Sequence, residues 1–189
     1  HKNPNWKILD IGCGYSPNKY ATVFCDTQDL SEFYKEKKFI KLEGTKLPFE
    51  NKEFDFVIAS HVMEHVLDIE FFINELERIS SNGYIELPTK LEDNLVFENK
   101  KDHLWHMDFD DVDQKLIITN KLQHLEPILT VSTIKKLEQI FKKSLVIELI
   151  WEDKINYVFN KMDNKNFEKI SLFTLVRKYF SKKIRMFFK

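Results

Sequence analysis

The sequence predicts an α/β protein with a Rossmann-like, mostly parallel sheet, helices on both faces and an abbreviated first crossover. Three observations support this reading. Short apolar, β-prone runs recur through the first half of the chain. The first of them, Ile8–Ile11, runs straight into a Gly12-Cys-Gly14 turn, the way open α/β sheets prepare a ligand cradle at a strand's carboxyl end. A stretch of helical periodicity separates the fourth run from the fifth, as parallel pairing requires. With 189 residues, 43% hydrophobic and 14% aromatic, the chain suits one packed domain.

Strand one is Lys7–Ile11, interrupted by Asp10 and closed by Gly12 and Gly14. Pro17 blocks an immediate helix, and Ala21–Cys25 reads as strand two, ending at Asp26. The gap from Gly14 to Asp26 is too short for a full crossover helix. Leu30–Lys38 has an apolar stripe (Leu30, Phe33, Tyr34) and is expected as a short helix. Phe39–Leu42 and Phe54–Ala59 are strands three and four. Glu64–Ile79 is a helix with Val66, Leu67, Phe72, Ile73, Leu76 and Ile79 inward, and Ser80–Gly83 stops it. Tyr84–Leu87 is strand five, broken by Pro88. Lys90–Asp113 is polar, acidic and aromatic, with His103-Leu-Trp-His106 inside it. Leu116–Thr119 is a strand. Ser132–Lys142 is a helix capped by Ser132 or Thr133, burying Ile134, Leu137, Ile140 and Phe141. Leu145–Trp151 is a strand, and Asn156–Phe159 is expected to pair with it as an antiparallel hairpin.

Composition bounds the partners. Seventeen Phe against four Gly describe a compact body with few permissive loops. A net charge of −1 gives no argument for nucleic acid. Cys13 and Cys25 sit beside the glycine turn, where a disulfide would stiffen a ligand loop, so both read as free thiols in a reducing compartment. No signal peptide or long apolar run is present, and the expected location is cytoplasmic.

Four blocks, in order, resemble class I S-adenosylmethionine-dependent methyltransferases, in particular the methyltransferase-11 type: Asp10–Gly14 (DIGCG), Asp26 at the end of strand two, Glu43-Gly44 ahead of Leu47-Pro-Phe49, and Phe54–His65 (FDFVIASHVMEH). The resemblance covers roughly Lys7 to Thr89 and implies S-adenosylmethionine as cofactor. It places the bare backbone of Gly12 and Gly14 at the amino-acid end of the cofactor, Asp26 on the ribose hydroxyls and Glu43-Gly44 at the adenine; Asp10 fixes the loop, directly or through water, and Cys13, Ser60 and His61 complete the cofactor-binding set. Two departures stand out: the short run from Gly14 to Asp26, and Glu rather than Asp at position 43.

In this class the acceptor sits over the carboxyl ends of strands four and five. Those ends lead to His61, Glu64 and His65, and beyond strand five to His103, Trp105 and His106. His65, His103 and His106 are the candidate general bases for an acceptor hydroxyl at neutral pH. The resemblance therefore implies methyl transfer to a small acceptor, with a hydroxyl on a sugar, glycan or lipid precursor as the expectation. The run His61-x-x-Glu64-His65 also resembles the Glu-x-x-Glu-His of ubiquinone-type and small-RNA 3′-end methyltransferases, which use a divalent ion. His stands at the first Glu position here, and no metal is assigned. Two other classes stay open: a cofactor-binding scaffold without catalysis, and a nucleotide-sugar or NAD enzyme.

The domain reading is a methyltransferase domain over 1–163 and a basic amphipathic helix or tail over 164–189. Phe173, Val176, Phe180, Ile184 and Phe187 share one face of that tail, and Lys178, Lys182, Arg185 and Lys189 fall on another. It is expected to meet a membrane surface, or to pack on its own domain or a second copy of the chain.

Overall fold

The computed structural model describes residues 5–160 and 169–188. The proposed boundary between 163 and 164 lies outside the described residues, as does Lys189 of the tail.

Five short strands run parallel: β1 (Ile8–Ile11), β2 (Val23–Asp26), β3 (Lys38–Lys41), β4 (Phe56–Ser60) and β5 (Asn82–Pro88). A sixth, β8 (Val146–Glu152), joins antiparallel to β5, giving the order β3-β2-β1-β4-β5-β8. The mostly parallel α/β sheet is thus the one expected. β1 and β2 are buried along their whole length because the sheet is covered on both sides there, which is why they read as unbroken apolar runs. The chain leaves β1 for β2 on one side and returns to β4 on the other. The switch point is therefore the gap beyond the ends of β1 and β4.

The first crossover contains no helix, as the short spacing implies. The expected helix over 30–38 is not formed either; the segment is turns, with the Tyr34 amide donating to the Leu30 carbonyl (3.0 Å). β3 pairs from Lys38 onward and takes the residues that would lengthen it, and so short a helix cannot offset its own nucleation. Leu30 and Tyr34 are nonetheless buried, packed with Phe24 and Cys13.

The helix expected over 64–79 is divided. Met63–His65 forms one 3₁₀ turn, and α1 (Ile69–Ile79) starts afresh where the Asp68 carboxylate accepts from the Phe71 amide (2.9 Å). Phe72, Ile73, Leu76 and Ile79 are buried as expected, whereas Leu67, in the break, is exposed. β5 is longer than expected, because Gly83 joins the strand where the Trp151 indole lies against it: a Cβ there would stand 2.5 Å from Nε1.

The polar stretch after β5 is built. It holds α2 (Lys90–Leu95), α3 (Asn99–Asp102), β6 (Trp105–Asp110) and, after a turn, β7 (Lys115–Asn120). β6 and β7 pair antiparallel, and β9 (Tyr157–Phe159) adds parallel to β7. This corrects the expected closing hairpin. β8 finds a longer partner in β5, and β9 crosses to a second, three-stranded sheet. α4 (Val131–Leu145) begins one residue before the expected cap, after Thr130, and bends at Phe141 (φ −114°, ψ 24°). Of its expected inward residues, Ile134 is buried, but Ile140 and Phe141, at the bend, are exposed. The tail forms α5 (Leu172–Phe187), none of whose residues is buried.

Candidate functional site

The glycine turn is held from behind. The Gly12 and Cys13 amides donate to the Cys25 carbonyl (2.8 and 3.3 Å), and the Tyr34 hydroxyl donates to the Gly14 carbonyl (2.8 Å). Gly12 has φ +64°, and a Cβ there would stand 2.5 Å from Val62 Cγ2, so only glycine fits. Gly14 has φ +48° and open space on its Cβ side. Asp26 accepts from the Gly14 amide through Oδ2 and from the Gln28 amide through Oδ1 (2.9 Å each). It thereby ties β2 to the turn, with its second lone pairs left for a ligand. Asp10 accepts from the Asn18 amide (2.8 Å). Burial pushes its carboxyl up to about 6, the Asn18 bond opposing and the Asp26 charge adding.

From this turn a cleft of about 560 Å³ runs past the ends of β4 and β5 to α2, α3 and α4. Asp10, Gly12, Cys13, Gly14, Ser60, His61, His65 and His103 line it, which brings most of the expected site residues together. Glu43 and Gly44 are exposed and outside its lining, Asp26 lies behind the turn, and His106 is buried away from it. The positions expected to meet the adenine and one of the three expected bases therefore do not reach the cleft wall.

His103 reaches His65 through β6. The Leu104 amide donates to the Glu64 carbonyl (2.7 Å) and the Trp105 indole to the Val66 carbonyl (2.8 Å), so the two imidazoles stand edge to face, 4.6 Å apart. His65 Nδ1 is 3.0 Å from the Asp102 carbonyl, which only accepts, so Nδ1 carries the proton and Nε2 is left with its lone pair. His103 Nδ1 lies 2.6 Å from Asp93 Oδ1, so a carboxylate faces that nitrogen.

Asp93 is the group that the sequence reading missed. It is buried among His103, His106 Nε2 (2.7 Å) and Lys121 Nζ (3.1 Å). Burial opposes its charge, but the two imidazoles and the lysine outweigh that and hold the carboxyl well below its ordinary range. His106 thus belongs to the support behind His103. Glu92, also missed, lines the cleft with a buried, unpartnered Oε2. Burial raises its carboxyl to about 7; His61 opposes, and Glu138, Glu64 and Asp93 add. A signal was present: Thr89-x-x-Glu92 has capping-box spacing, and the Thr89 hydroxyl does accept from the Glu92 amide (3.3 Å).

His61 sits at φ +54° between Glu64 (3.2 Å) and Glu86 (3.7 Å). Burial lowers its pKa, but the Glu64 contact and the surrounding carboxylates win and raise it. Burial would likewise raise Glu86. Bonds from Tyr84 (2.6 Å) and Ser60 (2.9 Å), with the charges of His61 and Lys142, bring it below its usual value. Glu98, Asp102 and Glu138 complete an acidic wall in which Lys135 is the sole Lys or Arg.

S-adenosylmethionine fits this cradle. The lining carboxylates would face its sulfonium cation, and the open main chain at Gly14 would leave room for its amino-acid end. An anionic dinucleotide would meet like charge. Residues 9–85 match the family model described as "Methyltransferase domain". The "Uncharacterized protein MJ0638" of Methanocaldococcus jannaschii is 27% identical over 77% of this chain and 78% of its own. Among solved structures, the PH0226 protein of Pyrococcus horikoshii OT3 is 16% identical over 79% of this chain and 82% of its own, with a TM-score of 0.47. The [4+2]-cyclase SpnF is also 16% identical, over 45% of this chain and 39% of its own, with a TM-score of 0.39. The chain thus spans about two fifths of that protein's length.

The matched segment supports a class I S-adenosylmethionine-dependent methyltransferase. Residues 9–85, about two fifths of the chain, match the methyltransferase-11 type of that class, whose cofactor is S-adenosylmethionine.

Proposed function

We propose that this protein transfers the methyl group of S-adenosylmethionine to a hydroxyl of a small acceptor, a sugar or a glycan or lipid precursor, within a domain spanning 1–163. The observation that supports this most is the imidazole pair at the cleft wall, His65 and His103, with Nδ1 of the first on the Asp102 carbonyl and Nδ1 of the second facing the Asp93 carboxylate. On this reading each ring offers Nε2 as a proton acceptor. His106 and Lys121 hold Asp93, and Asp93 holds His103. When bound, the cofactor supplies an electrophilic methyl group on sulfur. The chain aligns the acceptor with that methyl, screens it from water and takes the hydroxyl proton. The acidic wall favours a neutral acceptor over a phosphorylated one.

The test is calorimetric binding of S-adenosylhomocysteine and of NAD, followed by methyl transfer to a panel of hydroxyl, amine and acidic acceptors. The expected result is binding of the first ligand alone and transfer to hydroxyls. His103→Ala should lower kcat by about 100-fold or more while leaving S-adenosylhomocysteine affinity within about threefold. Transfer to amines alone would overturn the hydroxyl reading. Cofactor binding with no transfer to any acceptor would favour the scaffold.

One observation favours a second reading of the same side chains. Donor atoms of Glu64, His65 and His103 all lie within 4.8 Å of one another, and the buried Glu64 Oε2 has no hydrogen-bond partner. Carboxylate and imidazole suit a divalent ion, and the Asp93 and Asp102 contacts would orient the two rings as ligands. On this reading the imidazoles bind an ion that orients acceptor hydroxyls. Titration with Mn²⁺ or Zn²⁺ without acceptor should raise Tm in the natural chain and not in Glu64→Gln; equal Tm in both would remove it.

A further inference from the structure

The geometry points to α5 as a docking surface for anionic lipid. Among the described residues, the hydrogen bonds and the ion pair that tie this helix to the body lie at its root. The Ile170 amide donates to the His124 carbonyl (2.9 Å), the Glu126 amide donates to the Ile170 carbonyl (3.0 Å), and Lys169 pairs with Glu126. Beyond Ser171, whose hydroxyl accepts from the Thr174 amide (3.3 Å), the helix runs with no buried residue. Thr174 and Leu175 are half-buried, and the other described residues of the helix are exposed.

At 100° per residue, Val176, Phe187, Phe180, Phe173 and Ile184 fall within about 80° of one another and form a continuous apolar ridge. The ridge faces solvent: Phe173 is 76% and Phe187 92% exposed. Lys183 and Arg177 flank it on its two sides, where their stems can lie along the ridge edge while their charges stay at headgroup level. Lys178, Lys182 and Arg185 add further positive charge, and the chain has no Asp or Glu from 169 onward. An unpartnered apolar ridge bordered by cations alone is complementary to a surface that is apolar beneath and negative above. A second copy of the chain fits poorly, because a two-fold pairing of this ridge would set its flanking cations against each other. No helix of the described residues is long and apolar enough to cross a membrane, so α5 lies in the interface.

The experiment is flotation of the full chain with vesicles of phosphatidylcholine alone and with roughly one third phosphatidylserine. Binding should be at least tenfold tighter to the anionic vesicles and should weaken with salt. Phe180→Asp with Ile184→Asp should abolish flotation, and Lys182→Glu with Lys183→Glu should remove the preference for phosphatidylserine. Both variants should keep the natural Tm, since they touch no buried residue. A full chain that stays at the bottom with either vesicle would overturn the proposal. So would flotation unaffected by the paired Asp substitutions, or a tail-dependent dimer by sedimentation without vesicle binding.

Discussion

Gly12 is the residue on which the cradle turns. A methyl group there meets Val62 at 2.5 Å, and the backbone holds φ at +64°, so strain and overlap act together. Gly12→Ala is expected to cost about 2–4 kcal/mol of stability and to weaken S-adenosylhomocysteine binding at least tenfold, measured by chemical unfolding and calorimetry. Glu92 carries the clearest pH dependence. Its ordinary value is 4.5 and its folded value about 7, so between those values the folded state keeps a proton that the unfolded chain has released. Stability therefore falls as pH rises through that window, and the loss, on the order of 3 kcal/mol, is complete above it. Glu92→Gln should raise Tm by several degrees at pH 8 and leave it nearly unchanged at pH 4.5, by scanning calorimetry. The glycines were legible in the sequence because a strand running into two of them is a local pattern. Glu92 looked like one more charge in a polar stretch, because only burial makes it special.

At the level of elements, the 3₁₀ turn and β6 matter most, since they bring position 65 beside position 103. The Trp105 indole bonds the Val66 carbonyl just after the 3₁₀ turn, and its ring also meets Phe159 edge to face at 5.9 Å. Trp105→Phe removes the donor while keeping most of the packing. It should cost about 1 kcal/mol of stability, with a larger fall in kcat than in cofactor affinity, because the imidazole pair loses its spacing. Comparing Tm, kcat and S-adenosylhomocysteine affinity in this variant checks it. Strands one to five could be read from apolar runs. The helix over 30–38 could not, because β3 competes for its last residues. The closing strands were misread because pairing is a long-range choice, and β5 offers β8 a seven-residue ladder.

For the whole molecule, the two sheets and the cleft between the strand ends and α2–α4 form the body, while α5 stands outside its core. Removing residues 172 onward should leave Tm within about 2 °C, read by thermal unfolding, since no buried residue of α5 is lost. The sequence by itself determined the sheet, the glycine cradle and the family resemblance of the first half, because strand periodicity and a turn that needs glycine are written in neighbouring residues. Only the tertiary structure decided which side chains face the cleft. It put His106 and Asp93 behind His103, left Glu43 outside, and lined the wall with Glu92, Glu98 and Glu138. Those positions come from separate elements, and burial and electrostatic coupling exist only after folding has brought them together.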